Sequence, residues 1–154
     1  MRRIRLVGRA ASQDEAWHNA VLQAEDRPFD RAGWIFEIKW DGYRVIAEMD
    51  KGYARLYSRN GLSFTERYHG VATALEKIRH QAVLDGEVVV LDDKGHPSFE
   101  ALQNYRSHRT AGHLVYEVFD IIYLDGHDLR GLPLLRRREI PSADPSRGPG
   151  PGVL

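Results

Sequence analysis

Lys39 stands between Glu37 and Asp41 in the segment FEIKWDGYR, with Arg44 three residues beyond Asp41. Read as a strand, the segment sends alternate side chains to opposite faces. Trp34, Phe36, Ile38 and Trp40 then line an apolar face, and Glu37, Lys39 and Asp41 a charged one. A lysine is a nucleophile only as the neutral amine, and its reference pKa of about 10.4 opposes that. Burial or neighbouring cations lower the value; carboxylates raise it but can orient the amine or take its proton. A nearby guanidinium suits a phosphate-bearing substrate, because its planar fork matches phosphate oxygens. The set is therefore fitted to an amine attacking phosphorus. The plain alternative is the solvent face of an edge strand closed by an Asp-Gly turn. Lysine is scarce in this chain, with Lys39, Lys51, Lys77 and Lys94 the only four among 22 basic residues, which favours a selected role for Lys39.

Three further positions carry chemistry. Arg59, in YSRNG, ends a strand before an Asn-Gly turn, where it either reaches an anion or decorates the surface. Glu87, in LDGEVVV, interrupts an apolar strand. A carboxylate there is costly unless it is paired, hydrogen-bonded or metal-bound, or faces solvent. Phe119, in YEVFDIIYLDG, is either core or a platform on which a base stacks. The histidines show no metal-ligand spacing, and no G-x-x-x-x-G-K-[ST] loop is present.

The elements that must position these residues read as short strands broken by Gly and Asp, with one or two helices. Strands are expected over Trp34–Asp41, Tyr43–Met49 and Tyr53–Ser58, with a turn at DKG before the last. Ser63 and Glu66 form a capping-box pattern, and Phe64, Tyr68, Val71, Ala72, Leu75 and Ile78 an apolar stripe, which predicts a helix over 64–79. AVLDGEVVVLDDKGH reads as a strand or a bent strand pair with a turn at its DKG, LVYEVFDIIYLDG as a strand ending in an Asp-Gly turn, and SFEALQNY and Ser12–Leu22 as short helices. The expected fold class is α+β, mostly antiparallel sheets with packed helices. Residues 1–27 form an N-terminal segment, 28–140 the folded domain, and 141–154 a Pro/Gly-rich tail with the composition of a disordered segment.

The 154 residues suit one domain or most of a larger one. Basic and acidic residues balance at 22 each, so there is no whole-molecule attraction to nucleic acid, only room for a local basic surface or a partner domain. Cysteine is absent, which removes disulfides, thiolate chemistry and Cys-based zinc sites. With no membrane-length apolar run, the chain reads as soluble, intracellular and cytoplasmic.

In order, EIKWDGYR, YSRNG, LDGEVVV and YEVFDIIYLDG resemble the motifs of ATP-dependent DNA ligases, most nearly the bacterial non-homologous end-joining type, over about Pro28 to Arg138. The resemblance implies an adenylation domain of the DNA ligase/mRNA capping enzyme-like nucleotidyltransferase fold. By that likeness Lys39 attacks the α-phosphate of ATP and forms lysyl–AMP. The AMP then passes to a 5′-phosphate in nicked or broken double-stranded DNA, and a 3′-hydroxyl displaces it. Glu37 resembles the residue that reads the adenine amino group, with Ile38 beside it in the nucleotide site. Arg44 and Arg59 resemble the arginines at the nucleotide and nick phosphates. Glu87 resembles the acid at the ribose and the Mg²⁺ or Mn²⁺ ion, and Phe119 the aromatic that stacks on the purine.

The pattern departs from the family in lacking an E-G-x-[VI] strand and a K-x-K motif, since the last lysine is Lys94. The sequence is therefore expected to be an incomplete, truncated adenylation domain. A C-terminal half or OB-fold domain that the family has and this sequence lacks is one candidate partner. The alternatives are an inactive nucleotide-binding remnant and an RNA ligase or capping-type enzyme.

Overall fold

A computed structural model describes residues 4–7, 23–25, 35–105 and 111–140, with side chains from Ile38 onward. The expected helix Ser12–Leu22 and the tail 141–154 lie outside the described residues. The chain divides into two compact units, Met1–Trp40 and Asp41–Leu154.

The first unit holds a three-stranded antiparallel sheet in the order β2-β1-β3, from β1 (Ile4–Val7), β2 (Gln23–Glu25) and β3 (Ile35–Ile38). Neither β1 nor β2 was expected from the sequence, although Ile4 and Leu6 alternate with arginines. The expected strand Trp34–Asp41 is shorter than its alternation suggests. Its ladder ends where Ile38 meets Ile4, so Lys39 and Trp40 lie beyond the strand rather than in it. Ile38, expected on a core face, is 43% exposed.

The second unit is a five-stranded antiparallel sheet in the order β5-β4-β6-β7-β8. Its strands are β4 (Tyr43–Asp50), β5 (Tyr53–Ser58), β6 (Ala82–Leu91), β7 (His113–Leu124) and β8 (His127–Asp128). The period-two pattern is plain in β4, where Val45, Ala47 and Met49 are buried and Arg44, Ile46 and Glu48 are not. The buried row continues through Ala54 and Leu56 of β5, Leu84, Val88 and Val90 of β6, and Tyr116 and Ile121 of β7.

Helix α1 (His69–Leu75) and α2 (Phe99–Gln103) close over this core with Val71, Ala72, Leu75 and Leu102. Helix α2 starts at Ser98, whose hydroxyl accepts from Ala101 N at 3.2 Å. Helix α1 keeps the expected apolar stripe but not the expected length. Phe64 N donates to Leu56 O, Leu56 N donates to Thr65 Oγ1, and Ser63 bridges to Tyr57, so 63–65 is drawn into the edge of β5 before a helix can begin. The Ser63–Glu66 capping box is therefore not the helix start; Tyr68 is the N-cap and makes no side-chain cap. Helix α3 (Leu134–Glu139) packs on β7.

Candidate active site on the polar face of the sheet

The opposite face of β4, β6 and β7 carries the charges. Register fixes which ones meet: Arg44 lies opposite Glu87, Glu87 opposite Glu117, and Asp85 opposite Asp120. The β6–β7 pairing slips between Asp85 and Gly86, leaving Phe119 as an extra residue between Val118 and Asp120. Such a bulge re-aims a side chain out of strict alternation. Phe119 is half-buried, stands outside the buried core, and lies with its ring centroid 5.7 Å from the Arg44 guanidinium carbon. That is within cation–π range.

Two hydrogen-bonded links fasten DGYR to LDGE. Gly42 N donates to Glu87 Oε1 at 2.9 Å. Arg44 grips Asp85 side-on, Nε to Oδ1 at 2.9 Å and Nη2 to Oδ2. Gly42 was expected as a hairpin turn residue. Its requirement is instead close approach, because a Cβ there would meet Val89 Cγ1 at 2.7 Å and the Val88 carbonyl closer still. Asp85 is buried at 6% exposure, whereas the Arg44 side chain stays half exposed. The hydrogen bonds to Asp85 hold Arg44 above the ordinary arginine range against partial desolvation, with Glu87 and Asp120 adding to the effect. Burial raises the Glu117 carboxyl.

Asp120 is neutralised from the other side by Arg137 of α3, Nε to Oδ1 and Nη2 to Oδ2 both at 2.7 Å. Arg137 Nη1 also donates to Leu132 O at 2.5 Å. Asp85, Glu117, Asp120 and Arg137 were all missed in the sequence. The available signal was period two: Asp85 and Glu87 share a face, as do Glu87 and its cross-strand partner.

Arg44, Glu87 and Phe119 are thus brought together. Arg59 sits in the exposed turn after β5 and has no hydrogen-bond or ion-pair partner among the described residues, though Ser58 beside it pairs with Val45, next to Arg44. Lys39 is exposed, one residue past β3. Glu37 occupies the β3 position opposite Arg5. A shallow groove of about 450 Å³ lies at the other end of β4, among Glu48, Asp50, Gln81, Tyr123, Asp128 and Arg130. Its polar groups largely satisfy one another, Tyr123 to Gln81, Gln81 to Asp50 and Arg130 to Asp128, and it holds none of the expected residues.

A magnesium-type cation needs few protein ligands, since it keeps waters and phosphate oxygens. Glu87 and Glu117, facing each other across one ladder, fit that demand. No group of three or more metal-binding side chains is found among the described residues.

An antiparallel sheet that lays an arginine, carboxylates and an aromatic on one face is the architecture of part of a nucleotidyltransferase adenylation domain. The ATP dependent DNA ligase domain matches residues 19–142, and the chain belongs to that family. It is 42% identical over 109 residues to the multifunctional non-homologous end joining protein LigD of Pseudomonas aeruginosa, covering 70% of this chain and 13% of that one. It is 44% identical over 108 residues to LigD of Mycobacterium tuberculosis, covering 70% and 14%. Among solved structures it is similar to the ligase domain of M. tuberculosis LigD and to a mycobacterial DNA ligase D complexed with ATP and MES. Each is at TM-score 0.61 and 32% identity, over 91% of this chain and 36% of the other. The chain thus spans about one seventh of the length of these curated relatives and about a third of the solved ones.

Proposed function

We propose that the chain carries the nucleotide-binding and nucleophile half of an ATP-dependent DNA ligase and forms a covalent lysyl–AMP. The Lys39 amine attacks the α-phosphorus of ATP. An N–P bond forms, the bond to the β-phosphate oxygen breaks, pyrophosphate leaves and the nitrogen gives up a proton. Arg44 grips a phosphate, Phe119 supports the purine, and Glu37 and Ile38 border the adenine. Glu87 meets the ribose and, with Glu117, would hold a Mg²⁺ or Mn²⁺ ion. Bound there, the cation would neutralise phosphate charge. Arg59 is assigned to the 5′-phosphate of a DNA nick.

The observation that carries this reading is the double fastening of DGYR to LDGE, through Gly42 to Glu87 and Arg44 to Asp85. It holds the arginine that follows the lysine motif beside the acid and the aromatic. Broken or nicked duplex DNA in the cytoplasm is the expected substrate.

Intact mass after incubation with ATP and Mg²⁺ tests the first step. One AMP is expected on the wild-type chain and none on Lys39→Ala. An unmodified wild-type chain, with or without saturable ATP binding, refutes the enzymatic reading. GTP in place of ATP is expected to give no adduct.

A further inference from the structure

We infer that Asp85 is a positioning residue, holding the Arg44 guanidinium side-on so that its outer edge is presented to a phosphate. A guanidinium has five N–H donors in a rigid plane. Asp85 takes the Nε–H and one Nη2–H. The remaining Nη1 and Nη2 hydrogens point along the other edge, and no hydrogen-bond partner takes them among the described residues. That edge is itself a two-pronged fork of the kind that pairs with phosphate oxygens.

The asymmetry of burial makes the carboxylate the anchor. Asp85 sits in the middle of a central strand at 6% exposure, while the Arg44 side chain is 47% exposed. A fixed acid therefore orients a mobile base, removing most of the rotamer freedom that Arg44 would otherwise lose on binding. The Phe119 ring beneath limits tilt. Asp85 is kept for Arg44 because its cross-strand neighbour Asp120 has an arginine of its own.

This inference rests on the nucleotide-binding reading above. ATP affinity is measured on full chains carrying Lys39→Ala, so that binding is read without chemistry. Asp85→Asn keeps shape and burial but loses the charge, and is expected to raise the ATP Kd about tenfold, as is Arg44→Gln. The two together are expected to cost little more than either alone, because one residue acts through the other. Multiplicative losses, or an Asp85→Asn chain with a lowered Tm and unchanged ATP affinity, overturn the proposal.

The nitrogen-15 resonance of Arg44 Nε–H gives a second readout. It is expected to be dispersed and slowly exchanging in the parent chain, and to collapse to the free-arginine position in Asp85→Asn. A collapsed parent signal overturns the clamp whatever the ATP result. Failure of ATP to bind sinks the nucleotide reading alone. Inorganic pyrophosphate then decides the clamp: a shift of the Arg44 Nη groups with Nε–H unmoved upholds it, and no response overturns it.

Discussion

Replacing Gly86 with alanine probes the steric basis of the polar face. A Cβ at position 86 would meet Tyr116 Cε2 at 2.6 Å, Tyr116 Cζ at 2.9 Å and the Glu117 carbonyl oxygen at 2.5 Å. The Tyr116 ring has nowhere to go. It is fully buried, and its hydroxyl donates to Val45 O at 2.9 Å and to Leu84 O at 3.3 Å. Overpacking of this kind costs about 1–3 kcal/mol, and a lost buried hydrogen bond about 1 kcal/mol more. The sum is about 2–4 kcal/mol, or a fall in Tm of about 4–16 °C for a chain of this size. Far-UV circular dichroism melts of wild type, Gly86→Ala, Tyr116→Leu and the double variant measure it. Removing the ring relieves the clash with Tyr116 but not that with the Glu117 carbonyl, so in the Tyr116→Leu background Gly86→Ala is expected to cost less than in the wild type, though not nothing. A neutral Gly86→Ala, or an equal cost in both backgrounds, refutes the reasoning. Because Gly86 lies between Asp85 and Glu87, adduct formation is expected to fall more steeply than stability.

Three other perturbations follow from the same geometry. Arg137→Met strands the Asp120 carboxylate, which is 17% exposed, and is expected to cost about 3 kcal/mol by denaturant titration; an additional Asp120→Asn should recover part of that, and a variant as stable as wild type contradicts it. Burial raises the Glu117 carboxyl, so its contribution to stability is complete below the unfolded value and is lost as pH rises through the folded one. In chelator, Glu117→Gln should match wild type in strong acid and exceed it near neutrality, and a pH-independent difference rules this out. The Tyr68 hydroxyl is buried with no hydrogen-bond partner among the described residues, and burial pushes its pKa up to about 12. Tyr68→Phe is therefore expected to stabilise by about 1 kcal/mol, and a lowered Tm would reveal a partner for the phenol.

The strands of the second unit were legible because each buries one face, and burial writes period two into the sequence, as in Val45, Ala47 and Met49. Helix α1 was legible in its stripe but not its extent, because a backbone bond from Phe64 to Leu56 has no signature in side-chain pattern. The same limit explains Gly42, read as a turn and found to be a point of close approach to β6. Lys39, Arg44, Glu87 and Phe119 were singled out by residue type and motif order. Asp85 was passed over because LDGEVVV was weighed for Glu87 alone, although period two sets both acids on one face. Asp120 and Arg137 were invisible as a pair, being 17 residues apart on a strand and a helix.

The two acids of LDGE divide their labour. Glu87 holds the backbone of Gly42, Asp85 holds the side chain of Arg44, and the glycine between them admits Tyr116 beneath the sheet. Asp85 and Asp120 are like charges directly opposite each other, an arrangement that destabilises a sheet unless each is compensated. Arg44 and Arg137 compensate them from outside, giving a row across β4, β6, β7 and α3 in which two central carboxylates are flanked by two guanidinium groups. Beside that row stand the carboxylates of Glu87 and Glu117, opposite each other across β6 and β7, and the outer edge of the Arg44 guanidinium. A surface so divided suits a phosphate that arrives with a divalent cation better than a bare anion, since the ion meets the carboxylates while the phosphate meets the arginine. This charge layout predicts that ATP binding to the Lys39→Ala chain strengthens with Mg²⁺, and that Glu117→Gln weakens the Mg²⁺ dependence while sparing affinity in chelator. Isothermal titrations at two Mg²⁺ concentrations measure both, and equal Mg²⁺ dependence in the two chains would refute the division.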